Sequence, residues 1–265
     1  MQLVAIILLP LTLILLVVTF GSIAVHQNAM RAMVGERDER AVSTAARALG
    51  AQLDLRMREL DGLSRLVSST STEQAIENLA SVSLFANDFD QGIGVIDARG
   101  ELVSTLMDTP FLAAYFDASR PSQSPAEELV SMPGRLVLVT SPVDGSPVGL
   151  MAYPISDLLY VIGAFNISSM AENTLKDVLP ASSHQSVLLV DVNKQILYNA
   201  GEISDFSETL PGIAEGLQGR SGTVFVKHNG DEHVSAYSAV TQPDGYWLLR
   251  NPGRKCPHLR YRHPS

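Results

Sequence analysis

The sequence is poor in cysteine and, up to residue 249, in basic residues. Its 265 residues include one cysteine, Cys256, so the chain cannot form an internal disulfide and does not belong among small disulfide-stapled secreted modules. Residues 1–249 hold 14 Lys and Arg against 28 Asp and Glu. This excess of acid argues against binding to nucleic acid and against strong adhesion to anionic lipid. The last 16 residues, from Arg250, contain five Lys or Arg and no acid.

Motifs that carry common enzyme chemistry are missing as well. The sequence has no G-x-S-x-G, no H-E-x-x-H, no C-x-x-C and no G-x-x-x-x-G-K. Residues 228–233 place two histidines and an aspartate around an Asn-Gly turn, on one face of a predicted hairpin. A solvated hairpin tip is the simpler interpretation, because metal ligands need supporting partners. We therefore predict no enzyme activity, no cofactor and no metal site.

Long uncharged stretches are also absent, with one exception at the N-terminus. Residues 3–25, LVAIILLPLTLILLVVTFGSIAV, carry no charge and are long enough to cross a bilayer as a helix. Pro10 is tolerated within such a helix. A cleaved signal peptide is the alternative, and Ser22-Ile23-Ala24 fits its cleavage site, but the apolar run exceeds a typical signal core. We predict an uncleaved transmembrane helix over residues 1–27.

The flanking charges leave the orientation of this span open. Arg31, Arg37 and Arg40 follow it, which on the positive-inside rule keeps the rest of the chain in the cytoplasm. Large domains are nevertheless often translocated despite such flanking charges.

Residues 28–69 contain no proline and predict a long helix. Its apolar residues recur at alternating steps of four and three, with one step broken at Arg56: Val42, Ala46, Leu49, Leu53, Leu60, Leu63 and Val67. This stripe has two interpretations, a face packed on the chain's own domain or a seam shared with a second copy in a homodimer. A second helix is predicted at 73–87, and the two helices form a unit over 28–87.

The remaining sequence repeats one pattern twice. VIDARGELV at 95–103 and LVDVNKQIL at 189–197 each have an apolar pair, an Asp, a polar turn and a second apolar pair. We predict an α+β fold with two modules, 88–180 and 181–250, each containing a five-stranded antiparallel sheet. The predicted strands are 92–97, 101–106, 135–141, 148–155 and 159–166 in the first module, and 186–192, 195–199, 222–228, 232–240 and 245–250 in the second. Helices are predicted at 168–179 and 207–218.

The order of these elements resembles the extracytoplasmic double-Cache sensor domains of bacterial transmembrane receptors. The likeness covers roughly residues 1–250 and is carried by GIGVIDARGELV at 92–103, SVLLVDVNKQILYN at 186–199, GLQGRSGTVFV at 216–226 and VSAYSAVTQPDGYWLL at 234–249. The resemblance implies a membrane-distal PAS-like module followed by a membrane-proximal one, both outside the plasma membrane of a bacterium, with a single membrane span.

The same resemblance implies a small-molecule sensing input domain of a signal-transducing receptor. A sensor histidine kinase of a two-component system is the expected parent, with a diguanylate cyclase or chemotaxis receptor as alternatives. Relatives continue into a second membrane helix, whereas residues 251–265 form a basic tail, so we expect a truncated receptor. The competing hypothesis is a membrane-anchored structural, dimerisation or protein-binding module without a small ligand.

In such receptors the ligand lies in the distal module, between its sheet and a covering segment, here 108–134. The resemblance places five candidate ligand-binding residues there: Tyr115, Arg120, Arg135, Tyr153 and Asn166. Arg135 can hold a carboxylate through paired N–H donors, and the tyrosine rings can stack on an apolar part of a ligand. A core position for Tyr153 and a solvated Arg120 are the simpler alternatives. Amino-acid-sensing relatives carry an Arg-x-Trp-Tyr element in the cover, which 108–134 lack, so we predict an unidentified small organic ligand and not a free amino acid.

Overall fold

One long helix organises the chain. The computed structural model describes residues 2–68, 72–82, 88–106, 110–117, 125–176, 178–179, 186–201, 212–228, 231–242 and 245–255. Helix α1 (Gln2–Leu66) runs for 65 residues, about 97 Å at 1.5 Å per residue. The predicted membrane helix and the predicted long helix are therefore one continuous element. Within the described part of the chain, α1 is the one helix that is long and apolar enough to cross a membrane.

Two antiparallel sheets of five strands follow, as predicted, and they have the same strand order. The first sheet has the order β2-β1-β5-β4-β3 and the second β7-β6-β10-β9-β8. The strands of the first are β1 (Gly92–Asp97), β2 (Leu102–Thr105), β3 (Val137–Thr140), β4 (Pro147–Pro154) and β5 (Leu159–Asn166). Those of the second are β6 (Val187–Val190), β7 (Ile196–Ala200), β8 (Gly222–His228), β9 (Asp231–Gln242) and β10 (Gly245–Lys255). The α+β class and the ten strands are confirmed.

The repeated hairpin motif has the same geometry in both sheets. Asp97 Oδ1 accepts from the backbone N–H groups of Arg99 and Glu101, each at 2.9 Å. Asp191 Oδ1 does the same for Asn193 at 2.9 Å and Gln195 at 2.6 Å. Both hairpins also shift register one or two residues before this Asp. An aspartate stands at this position in both hairpins because its carboxylate accepts the backbone N–H groups that close the turn.

In the described residues, five shorter helices accompany the sheets: α2 (Thr72–Val82), α3 (Pro110–Tyr115), α4 (Pro125–Ser131), α5 (Ile167–Leu175) and α6 (Ile213–Gly216). The second predicted helix is confirmed over Thr72–Val82, and 83–87, the rest of that prediction, lie outside the described residues. Helix α5 joins the sheets close to its predicted position. The prediction of a helix over 207–218 is confirmed for α6, and 207–211 lie outside the described residues.

Helix α1 packs against both sheets in turn. A Cβ added at Gly35 would lie 3.2 Å from Thr223 Oγ1, and one at Gly50 3.2 Å from the Thr241 carbonyl oxygen, so this part of α1 lies on the second sheet. Further along, Leu60 lies against Gly163 of the first sheet, and Ser68 Oγ donates to the Ile155 carbonyl at 3.1 Å.

The apolar stripe of α1 is internal to the chain. All seven stripe residues are at most 4% exposed and belong to one hydrophobic core with residues of both sheets. Of the two interpretations of the stripe, the structure therefore supports a face packed on the chain's own domain. A homodimer through α1 stays a prediction and would have to use the opposite side of the helix.

Strand β10 extends past the predicted boundary at residue 250. Asn251, Pro252, Arg254 and Lys255 pair with β9, with a register shift between Pro252 and Arg254. The basic composition suggested a separate tail, but β9 is 12 residues long and offers backbone partners whatever the side chains are. The shift follows from Pro252, which has no N–H to donate. Residues 256–265 lie outside the described part.

Candidate functional site

The face of the first sheet that points away from α1 is covered by α3 and α4. Below we call it the covered face. Apolar side chains of β1, β3, β4 and β5 line the sheet side of this face. The cover helices contribute Phe111, Leu112 and Leu129. This is the position where the sequence resemblance placed a ligand. Residues 107–109 and 118–124, which flank the cover helices, lie outside the described residues.

Tyr115 lies in this cover, at the end of α3. Its ring stacks on Phe111 with centroids 5.4 Å apart and meets Phe116 edge-on at 5.2 Å. Burial, followed by the negative charge of Glu128, raises the pKa of Tyr115. The hydroxyl therefore stays protonated near neutral pH and can act as a hydrogen-bond donor.

Arg135 lies next to the cover, between the end of α4 and the start of β3. The side chain is half-buried, and Nη1 donates to Sδ of Met132. A thioether is a weak hydrogen-bond acceptor. Tyr115 and Arg135 are the two candidate residues that the structure places beside the cover helices.

Tyr153 lies on the opposite face of the sheet. It packs with the core that α1 completes, and its ring lies against Gly134, whose added Cβ would be 3.3 Å from the hydroxyl. With Asp54, Met57, Arg58 and Asp61 of α1, Tyr153 and Gly134 line an open cleft of about 620 Å³. Burial raises the pKa of Tyr153, and the charge of Asp61 adds to this effect. Alternation along β4 separates Tyr153 from the covered face.

Asn166 has a structural role at the start of α5. Its Oδ1 accepts from the Ser169 backbone N–H at 3.0 Å, which makes it the N-cap, and its Nδ2 donates to Ser146 Oγ at 3.0 Å. These bonds occupy both ends of the amide. Arg120, the fifth candidate, lies outside the described residues.

A buried polar cluster, not predicted from the sequence, lies between α1 and the first sheet. Arg56 is 7% exposed and sits in the stripe of α1. Its Nε donates to the Asp88 carbonyl at 3.1 Å, its Nη1 to Gln52 Oε1 at 3.2 Å, and its guanidinium lies 5.0 Å from the centroid of the Phe165 ring. The broken heptad step at Arg56 was the available signal. Glu59 and Asp90 complete this cluster, through the charges they exert on Arg56.

Metal ligation has no geometric support in the described residues. Among them, which omit the turn at 229–230, no group of three or more His, Cys, Asp or Glu side chains is placed to hold an ion.

Comparisons with known proteins give the fold but no family assignment. No protein family model matches the chain, and no curated protein matches it. Among solved structures, the ligand-binding domain of the Pseudomonas fluorescens chemoreceptor CtaA with L-leucine is 14% identical with a TM-score of 0.55, over 89% of this chain and 97% of that one. The Pseudomonas aeruginosa amino acid chemoreceptor PctB with L-Arg gives 14% identity and a TM-score of 0.58, over 84% and 88%.

A third structure, an extracellular ligand binding receptor from Desulfohalobium retbaense, is 12% identical with a TM-score of 0.57. The match spans 81% of this chain but 39% of that receptor. At these identities the similarity concerns the fold alone. The chain therefore shares the fold of these extracellular ligand-binding domains.

Proposed function

We propose that this chain is the extracytoplasmic small-molecule sensing part of a single-pass membrane receptor, built from two PAS-like modules of the double-Cache type. The observation that carries the proposal is a fold shared over more than four-fifths of the chain with ligand-binding domains that hold amino acids. An apolar N-terminal span on the helix that packs against both sheets supports a role in passing a signal to the membrane.

We place the ligand between the first sheet and its cover. Tyr115 packs with the apolar side chains of this face as a neutral donor, and Arg135, a half-buried cation, lies between α4 and β3. A guanidinium binds a carboxylate through two parallel N–H bonds. Because the cover lacks the Arg-x-Trp-Tyr element, we propose small organic acids as the ligand class, before free amino acids.

The parent receptor is proposed to be a sensor histidine kinase, with a diguanylate cyclase or chemotaxis receptor as alternatives. This choice rests on the sequence resemblance alone. The receptor from its native host is assayed for autophosphorylation and for diguanylate cyclase activity. Autophosphorylation indicates a histidine kinase, cyclase activity indicates a diguanylate cyclase, and neither activity favours a chemotaxis receptor.

Ligand binding is tested by thermal unfolding of the full chain in detergent micelles. The panel contains organic acids, L-amino acids, amines and sugars. A ligand at 100 times its Kd stabilises the folded state by about 2.7 kcal/mol. We expect at least one organic acid to raise the Tm and Arg135→Ala to abolish that rise. Arg99→Ala is the matched control, since Arg99 is exposed on the β1–β2 turn.

Three outcomes would contradict parts of this proposal. A panel without any Tm rise contradicts small-molecule sensing and favours the structural or protein-binding alternative. A rise with amino acids alone contradicts the ligand class. A rise that Arg135→Ala leaves unchanged contradicts the placement of the site.

A further inference from the structure

Loop 88–91 joins the first sheet to α1 through the polar cluster around Arg56. Phe89, in the middle of the loop, is fully buried and meets the Phe165 ring edge-on, with centroids 6.4 Å apart. On one side of it Asp88 contacts Arg56, with Nη2 3.7 Å from Oδ1. On the other side Asp90 Oδ1 accepts from the Asn166 backbone N–H at 2.7 Å. The loop therefore holds α1 against strands β1 and β5.

The charges in this cluster do not balance when every group is ionised. One cation, Arg56, faces the carboxylates of Glu59, Asp88 and Asp90. Glu59 follows Arg56 by three residues and so lies on the same side of α1. The group therefore carries two net negative charges around a guanidinium that is itself buried.

Among these carboxyl groups, Asp88 is the one whose charge acts most strongly on Glu59. Oε2 of Glu59 is buried and, among the described residues, has no hydrogen-bond donor. Burial raises the pKa of Glu59, the negative charge of Asp88 raises it further, and Arg56 opposes them. A hydrogen bond between the two carboxyl groups acts in the same direction as burial. A protonated Glu59 can donate to Asp88, whereas two ionised carboxylates repel each other.

We propose that Glu59 and Asp88 form a proton-operated latch that fastens α1 to the first sheet when the compartment facing this domain becomes acidic. The groups around it are Arg56 on α1, Asp88 and Asp90 on the loop, and on β5 only the uncharged Phe165 and Asn166. With both carboxyls ionised, repulsion loosens loop 88–91. One proton shared between the two carboxyl groups restores the contact. Helix α1 also packs on the second sheet and continues into the apolar span. Closing the latch therefore acts on the helix that would carry a signal to the membrane.

The direction of the effect follows from the sign of the pKa displacement. The pKa of Glu59 is raised above its ordinary value of 4.5 in the folded state. Its contribution to stability is fully present below that ordinary value and is lost as the pH rises through the folded-state pKa. The pKa of Asp90 is likewise raised, by burial, from 3.8. Acidification from neutral pH towards 4.5 should therefore close the latch.

Hydrogen exchange of the full chain in detergent micelles tests this proposal without any ligand. Amide protection of residues 52–60 and 88–96 is compared at pH 7.5 and pH 5.0. The exchange rates are corrected for the intrinsic effect of pH, and the core of β9 serves as internal reference. Because the pKa of Glu59 in the folded state lies above its ordinary value, we expect severalfold stronger protection at pH 5.0. In Glu59→Gln, protection should differ much less between the two pH values than in the wild type and stay close to the acidic level.

Two further variants make the outcome decisive. Glu101→Gln removes an exposed carboxylate from the β1–β2 turn and should keep the wild-type pH response. Asp88→Asn removes the other half of the latch and should flatten the response, so it carries the test if Glu59→Gln does not fold. A wild-type chain without a pH response, or folded Glu59→Gln and Asp88→Asn variants that retain it, would overturn the proposal. Neither outcome bears on ligand binding at the covered face.

Discussion

Gly163 on β5 makes room for Phe89. A Cβ at position 163 would lie 2.5 Å from Cδ1 and Cε1 of the Phe89 ring, closer than such atoms approach. Phe89 is fully buried and its neighbours Asp88 and Asp90 are held by the polar cluster, so the ring has little freedom to move aside. A single missing side chain thus allows the loop to anchor in the core.

We expect Gly163→Ala to lower the free energy of unfolding by about 1–3 kcal/mol, as overpacking of a core does. Gly62→Ala is the matched control, because a Cβ at Gly62 in α1 meets nothing within 4 Å. It should stabilise the chain by roughly 0.5–1 kcal/mol, through helix propensity alone. Denaturant unfolding of the full chain followed by circular dichroism measures both. Equal effects of the two substitutions would show that the ring can move.

Among the secondary-structure elements, α1 contributes the most to the shared core. Its stripe is buried against both sheets, and the exposed side of the helix carries alternating charges, including Arg40 with Glu36 and Arg65 with Asp61. These exposed pairs contribute little to stability. Packing of the stripe therefore dominates the attachment of α1.

Leu60→Ala should cost about 2–5 kcal/mol, since Leu60 is fully buried and truncation leaves a cavity. Leu55→Ala, on the same helix but 37% exposed, should change the free energy of unfolding by less than about 0.5 kcal/mol. Thermal unfolding measures the difference, and sedimentation of the same samples reports the oligomeric state. A folded Leu60→Ala variant that only loses self-association would instead support the homodimer seam.

Over the whole molecule, the apolar end of α1 leads out of the folded part. Residues 11–23 are exposed, and the packed part of the helix begins near Gly35. These residues belong to the uncharged run 3–25, which is long enough to cross a bilayer and is expected to be covered by lipid. The span does not itself fix on which side the two sheets lie, because the arginines that follow it favour the cytoplasm and the fold resemblance favours the exterior.

An introduced cysteine decides the orientation. Asp157 is exposed in the turn between β4 and β5, so Asp157→Cys in a Cys256→Ser background provides one reactive thiol. We expect a membrane-impermeant thiol reagent to label it on intact cells. The Cys256→Ser chain without the new cysteine is the blank. Labelling that appears only after lysis would place both sheets in the cytoplasm, as the charge rule predicts.

The sequence by itself determined the local structure of this protein. Alternating apolar residues and Asx-type turns act between near neighbours in the chain, and they predicted all ten strands, most within two residues of their observed ends. The repeated hairpin motif at 95–103 and 189–197 predicted two sheets with the same arrangement of strands. The apolar run and the heptad stripe predicted a long helix, although not its continuity through residue 27.

The tertiary structure alone decided which faces meet. A heptad stripe has the same sequence whether it packs on its own sheets or on a second copy, and only the fold showed that this one is internal. The ligand site stays a prediction: Tyr115 packs with the covered face, whereas strand alternation turned Tyr153 to the other face and Asn166 became a helix cap. Arg56, Glu59 and Asp88 are brought together across about 30 residues of chain. Burial and then the charge of Asp88, a neighbour distant in sequence, raise the pKa of Glu59, and no local pattern encodes either effect.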